Sequence, residues 1–423
     1  MNNNRGFTLV ELIIAMACFI VILILVGTSF NLILSQSLKL MKSEESNIEG
    51  VVGLELLRHD LNLAGYGLSN DIPQEVSSIG EASVGISMKT NDPFNVPPRP
   101  IVILERNFDG CPNFTTDQPD DKNYHLIVCS DYLSIKATNL GASAASQHWT
   151  YLTYNAGSGG TASTMTPNIW KNAADNPSNG DAVVVLRKNL STSTNSSILA
   201  HRDGSTSPDF HYTFGSTAFN NMTGESSSPC NVYGIDSGAT VRMPFNRADY
   251  FVAQPFPITA TPSLLCAPGT GTLYKATVNQ ADGKLTYIPL LPCVAGMQVV
   301  LGWDYNGDGL IDTWSNADGS TVSDVGGLGV TSAQIQAALS QANNPMSANQ
   351  PNIWNNLKTV KVYILAQNGR KDLSYKSPSP IIGGDPGEMS LTRSYDIAGS
   401  NWSNYRWKLY KIVVNPRNLV SNQ

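Results

Sequence analysis

Charge is what this sequence has least of. Asp, Glu, Lys and Arg make up 14% of its 423 residues, against about 25% in an average soluble domain. The polar surface must then be built from Asn, Ser, Thr and Gly, a composition that suits turns and strands better than long solvated helices. Positive charge is not in excess: the net charge is −6 and the pI near 5.4, which argues against a global electrostatic grip on nucleic acid. Cysteine is sparse, six in the whole chain, so a small disulfide-stapled fold is excluded. Gly (35) and Pro (24) stay near ordinary usage, which excludes a collagen-like or low-complexity chain. The five histidines, His59, His125, His148, His201 and His211, sit in no zinc-protease context, and Gly-x-Ser-x-Gly and Walker motifs are missing. His201, Asp203, Asp209 and His211 form a loose polar cluster that reads as a loop. The sequence points away from an enzyme.

The apolar residues, by contrast, are concentrated. No charged residue occurs from Leu12 to Leu38, and Leu12–Leu34 is nearly all apolar. Those 23 positions reach about 35 Å as a helix, enough for a hydrocarbon core of about 30 Å. A cleaved secretory signal would have a shorter apolar core and a small-x-small site after it. An uncleaved anchor fits better, with Arg5 as the positive-inside signal. Glu11 stands four residues into the run that begins at Phe7. A carboxylate near membrane depth costs about 2.5–3.5 kcal/mol on insertion scales, so such a group is normally paired and functional.

The segment Arg5-Gly6-Phe7-Thr8-Leu9-Val10-Glu11 resembles the prepilin signal shared by type IV pilins and type II secretion pseudopilins. The resemblance implies a 1–6 leader cut between Gly6 and Phe7 by a prepilin peptidase, with methylation of the new Phe7 amine. It also implies that Glu11 partners the N-terminal amine of a neighbouring subunit during assembly.

Beyond the span the pattern stays helical. Val51, Leu54, Leu57, Leu61 and Ala64 recur at three and four, an amphipathic stripe, and Gly65 and Gly67 supply a stop. One helix from Phe7 to about Ala64, 58 residues, would be roughly 87 Å long. Gly27-Thr28-Ser29 is its weak point, because these are poor helix formers. The sequence Arg58-His59-Asp60 followed by Ala64-Gly65-Tyr66-Gly67 is similar to the end of the first helix in PilW-type minor pilins. At the other end, Trp354, Val360–Leu365 and Tyr405–Asn418, closing on Arg417-Asn418, resemble the last strands of the same group.

Residues 66–423 carry short β-type runs between Gly, Asn, Ser and Pro clusters: 125–128, 132–135, 182–186, 297–301 and 359–365. Two of these runs begin alike, at Ser130-Asp131 and Gly180-Asp181. A short helix is expected at Thr331–Leu339, where Thr331 caps and Gln334 closes a capping box. Asn155–Gly160 and Ser191–Ser197 read as loops. The expected fold is α+β: a 7–65 N-terminal helix (membrane segment about 7–34) followed by one large β-rich, pilin-like head.

Cys18 lies in the membrane segment as a small apolar residue. Cys111, Cys129, Cys230, Cys266 and Cys293 fall in the head, where an oxidising periplasm permits disulfides. Proximity in sequence favours Cys111–Cys129 and either Cys230–Cys266 or Cys266–Cys293. Asp304, Asn306, Asp308, Leu310 and Asp312 match the first nine positions of a calcium loop, but Ser315 stands where the bidentate Glu belongs. Asn306-Gly307 is equally a type I′ hairpin signal, so Ca²⁺ and a plain turn compete and no cofactor is required. From Lys358 onward ten Lys/Arg face four Asp/Glu, a local +6 that leaves −12 on residues 1–357. Strand residues Arg406, Lys408 and Lys411 read as a solvated face in preference to a polyanion site.

The resemblance implies a minor pilin, a non-enzymatic priming or tip subunit of a type IV pilus. It would sit in the inner membrane with its head in the periplasm, then in a pilus at the cell surface. The implied partners are prepilin peptidase, other minor pilins, the major pilin, the inner-membrane assembly platform and a tip-associated adhesin. A pseudopilin of type II secretion shares the N-terminus. A tip adhesin with a calcium-dependent head is the third reading.

Overall fold

The computed structural model describes residues 8–70, 81, 89–92, 97–104, 124–127, 130–155, 164–189, 196–200, 210–215, 219, 229–238, 241–255, 265–340, 351–388, 390–395 and 402–420. A single helix, α1 (Leu9–Leu63, 55 residues), precedes all the strands. Its span at 1.5 Å per residue is about 82 Å, and it runs unbroken through Gly27-Thr28-Ser29, where the Thr28 hydroxyl donates to the Leu25 carbonyl at 2.9 Å. The expected stop holds: Ala64 leaves the helical region and Gly65 follows at φ +84°.

The head is built on a ten-stranded antiparallel sheet. Its members are β1 (Ile101–Leu104), β2 (Tyr124–Leu126), β3 (Tyr132–Ala137), β10 (Asn246–Pro255), β11 (Gly271–Val278), β12 (Leu285–Trp303), β13 (Thr313–Asn316), β14 (Val322–Asp324), β15 (Leu357–Asn368) and β18 (Arg406–Val414). The 19-residue β12 is its spine: the first half pairs with β11 and the second with β15 and β13. Short helices α2 (Ser332–Ser340), α3 (Ile353–Asn356) and α4 (Arg417–Val420) flank it. The Gln334 side chain reaches back to the Thr331 N–H at 2.8 Å, as the capping reading expects, and Ile335 and Ala338 are buried. A two-stranded ribbon, β16 (Ile381–Ile382) with β17 (Ser394–Tyr395), forms a sheet of its own and packs on the large sheet through Tyr395.

A second sheet was not legible in the sequence. It has six strands: β4 (Trp149–Asn155), β5 (Thr164–Pro167), β6 (Ala182–Asn189), β7 (Ser196–Leu199), β8 (Tyr212–Thr213) and β9 (Cys230–Asp236). Asn155, expected in a loop, belongs to β4, and Ser196 and Ser197, likewise expected in a loop, belong to β7; residues 156–160 and 191–195 lie outside the described residues. The chain leaves the large sheet at Ala137 and returns at Asn246, and these two residues are direct cross-strand partners. The six-stranded sheet is therefore an insertion between adjacent strands. The central β6 buries Val183 and Val185 in one cluster and Ala182, Val184 and Leu186 in another, on opposite faces, as period-2 alternation requires.

The main core lies between the large sheet and the distal part of α1, which contributes Leu54, Leu57, Leu61 and Ala64. Val51 departs from the expected stripe: it is exposed and lines an open apolar groove with Val52 and Ile288. The helix can approach this closely only because residue 53 is Gly, where a Cβ would stand 2.8 Å from the Leu290 carbonyl oxygen.

Candidate assembly site: the N-terminal helix and its seat in the head

At the start of α1, Thr8 and Glu11 form a reciprocal capping box. The Glu11 carboxylate accepts from the Thr8 N–H and hydroxyl, both at 2.9 Å, while the Thr8 oxygen accepts from the Glu11 N–H at 3.4 Å. In the single chain, then, the Glu11 carboxylate is satisfied by its own helix start, where the positive end of the macrodipole also favours an anion. The proposed cut site, Gly6 and Phe7, lies outside the described residues. From Leu9 to Asn31, 23 residues, the helix is strongly apolar and its most apolar stretch is not buried within the protein. This is a segment long and apolar enough to cross a membrane. Cys18 is exposed on it.

At its other end α1 is locked into the head by polar groups. Asp60 is buried; its Oδ2 accepts from the Tyr250 hydroxyl at 2.7 Å and pairs with Lys275 Nζ at 2.5 Å. Burial, reinforced by the Asp60 charge, pushes the Tyr250 phenol well above its ordinary value. The last carbonyls of α1 lack intrahelical partners. Asn418 supplies one: its Nδ2 donates to the carbonyls of Leu63 and Ala64 at 3.2 and 3.3 Å. Gly65 donates its N–H to the Lys136 carbonyl, and Tyr66 sets its ring edge-on to Tyr233 of the inserted sheet, centroids 5.3 Å apart. Gly67, at φ +66°, allows Thr138 to close against the turn; a Cβ there would meet the Thr138 hydroxyl at 2.3 Å. So Asp60, the Ala-Gly-Tyr-Gly turn and the Arg417-Asn418 terminus, far apart in sequence, converge on one junction.

Two family models match the chain. Type IV Pilus-assembly protein W (PilW) covers residues 250–418, and the Prokaryotic N-terminal methylation motif covers residues 1–27. The chain matches a PilW-type, prepilin-like protein. No curated protein and no solved structure matches it. The two matches support a type IV pilus-related minor pilin or assembly protein, and membership in pilus assembly implies contacts with other pilus components. The apolar helix and the methylation motif together point to membrane anchoring and pilus association. The PilW match takes in Tyr250, Lys275 and Asn418 and most of the large sheet; the inserted sheet lies outside both matches.

Beside the seat runs a buried ionic network that sequence reasoning missed. Lys136 on β3 pairs with Glu81 at 2.5 Å and Asp92 at 2.6 Å. Arg247 on β10 pairs with Asp249 at 2.7 Å and Glu81 at 3.2 Å, and the Tyr132 hydroxyl donates to Asp249 at 2.6 Å. Burial alone would depress the Arg247 guanidinium, but Asp249 and Glu81 outweigh it and hold it above its usual value. Arg99 extends the network from Asp92 at 2.7 Å. The network ties the crossing segment between α1 and β1 to the sheet. The signal was a charged residue alone inside an apolar strand, as in Tyr132-Leu-Ser-Ile-Lys136-Ala137.

The remaining sequence-predicted sites resolve as follows. Cys266 and Cys293 are joined in a disulfide, Cα atoms 5.1 Å apart, which excludes Cys230–Cys266; Cys230 is buried in the inserted sheet. Cys111 and Cys129 lie outside the described residues, as do His201, Asp203 and Asp209. The strands flanking Asn306-Gly307 do pair, β12 with β13, but through a nine-residue loop, 304–312, in place of the two-residue type I′ turn. In it the Asp304 carboxylate accepts the N–H groups of Gly307 and Gly309 at 2.7 and 2.9 Å, and Asp312 accepts those of Tyr305 and Asn306 at 2.8 and 3.2 Å. Asp308 accepts from Leu310 N–H at 2.8 Å and Asn306 from Asp308 N–H at 2.9 Å. The Lys358 ammonium stands 3.6 Å from Asp304. Backbone donors and a resident cation thus satisfy these carboxylates within the chain and hold the loop open as a wide turn. Among the described residues no group of three His, Cys, Asp or Glu side chains could hold a metal ion.

The basic C-terminal strand also finds local partners. Arg406 lies over the Tyr375 ring at 4.1 Å, Lys408 over Tyr410 at 4.5 Å, and Lys411 pairs with Asp385. The Lys411 contact holds the Asp385 carboxyl below the usual range. The two similar strand starts do different jobs: Asp131 accepts the Val299 N–H from β12 at 2.8 Å, whereas Asp181 accepts the Ser178 N–H of its own turn at 2.7 Å.

Proposed function

We propose that this protein is a non-enzymatic minor pilin that primes a type IV pilus or occupies its tip. One observation carries the reading. The helix bearing the methylation motif is seated, through Asp60 and Asn418, in the region that matches PilW, so both family signals meet in one fold. Prepilin peptidase cuts after Gly6, and Phe7 receives the methyl group. In the membrane the helix holds the head on the periplasmic side. On assembly, Glu11 exchanges its intrachain cap for the Phe7 amine of a neighbouring subunit, the nearest cation a membrane-depth carboxylate can find. The head of about 358 residues from Tyr66 to Gln423 favours a tip or initiation position, since a shaft repeats its subunit densely. The partners on this reading are other minor pilins, the major pilin, the inner-membrane platform and a tip-associated adhesin.

Deletion of the gene tests the reading. The expected outcome is loss of surface pili with exoprotein secretion intact. Lost secretion with pili intact would make the chain a type II pseudopilin, and intact pili with lost adherence would make the head an adhesin in its own right.

A further inference from the structure

Both faces of β6 are covered, but one face of β4 is not. On β4, Trp149 is 41% exposed and Tyr151 40% exposed, side by side on one face at period 2. Trp170, just beyond β5, stands across them. Its ring centroid is 5.1 Å from that of Trp149 at 61° and 5.8 Å from that of Tyr151 at 71°. The three rings therefore make a notch with two walls. Large aromatic rings left open together on a soluble surface mark a contact site more often than chance.

The notch is held in shape before anything binds. Trp170 Nε1 donates to the Trp149 carbonyl at 2.7 Å, and Asn176 clamps the Trp170 backbone, accepting from its N–H at 2.7 Å and donating to its carbonyl at 3.1 Å. Preorganisation of this kind lowers the ordering cost of binding. The indole N–H of Trp170 is already used, so the notch offers ring faces and edges. On the side where Trp149 and Trp170 face each other the rim offers Lys171, Asn172 and Asp175, one positive, one neutral and one negative group.

That chemistry selects among ligands. A nucleic acid strand would stack on the rings but needs a positive groove for its phosphates, and here Lys171 is balanced by Asp175. A pyranose ring presents a face of slightly positive C–H bonds, which complements the negative face of an aromatic ring, and its hydroxyls both donate and accept, so they can accept from Lys171 and Asn172 and donate to Asp175. We propose that the Trp149–Tyr151–Trp170 notch binds a neutral saccharide. The site lies on the insertion, outside the PilW match, so it is separable from the assembly role.

The test uses the full-length protein in a detergent without a sugar headgroup. It is titrated with chitohexaose, cellohexaose, maltohexaose and mannohexaose, read by tryptophan fluorescence and saturation-transfer NMR. At least one sugar is expected to bind saturably, with Trp149→Ala and Tyr151→Ala each weakening it at least roughly tenfold. Tyr151→Ala, which removes only an exposed ring, keeps the test sound if the tryptophan variant fails to fold. Absence of saturable binding by all four sugars overturns the proposal. So does binding unchanged in the folded variants, or preference for a heparin fragment whose affinity collapses with salt.

Discussion

Tyrosine hydroxyls buried against carboxylates mark the junction of helix and head. Tyr250 donates to Asp60 and Tyr132 to Asp249, and burial raises both phenols, with the adjacent carboxylates adding to the shift. Tyr66, beside Tyr233, is pushed up to about 12, again first by burial. An unfolded tyrosine ionises near about 10. The folded values lie higher, so the contribution of these groups is complete below about pH 10 and is lost as pH rises through the folded values. Denaturation between pH 8 and 11.5, followed alongside phenolate absorbance, is therefore expected to give a falling midpoint, with these phenols titrating only as the head opens. Phenols that all titrate near 10 with no loss of stability would contradict it. At this scale the sequence was only partly readable. Glu11, Gly65 and Asn418 stood in recognisable motifs. Lys136, Arg247, Glu81 and Asp92 did not, because an ionic network drawn from two strands and a crossing segment has no periodicity to betray it.

The helix α1 divides into two elements by what surrounds it. Its first 23 residues are apolar apart from Glu11 and a few polar residues at the far end, and their most apolar stretch is not buried in the chain, so their stability must come from lipid or neighbouring subunits. Its last turns bury Leu57 and Leu61 completely and anchor Asp60. Asp60→Ala leaves the Lys275 ammonium buried without its carboxylate, a change that costs about 3–5 kcal/mol, whereas Glu55→Ala, on the exposed side of the same helix, costs well under ~1 kcal/mol. Chemical denaturation of the two variants measures this; equal, small losses would mean that the seat is not polar in origin. Periodicity revealed the helix, its stop, α2 and the five strand cores, since each is a local pattern. It could not reveal how wide the 304–312 loop is. That width is set by three Asp carboxylates turning back onto backbone N–H groups, which reads in sequence equally as a hairpin or a calcium loop.

For the whole molecule, the sequence divides the chain into a long helix and one β-rich head, and the α+β architecture agrees. The head's internal division was hidden, because an insertion leaves no mark when the strands on either side of it rejoin: Ala137 and Asn246 pair as if nothing intervened. What results is a PilW-matched sheet that holds the helix and an inserted sheet that carries an aromatic notch. The central claim, that the chain is a processed pilin whose Glu11 acts between subunits, is tested most directly by Glu11→Ala. The account predicts a chain still cut after Gly6, with Phe7 at its N-terminus by mass spectrometry of the membrane fraction, yet strongly depleted from sheared pili. A Glu11→Ala chain that enters pili at the wild-type level would contradict it.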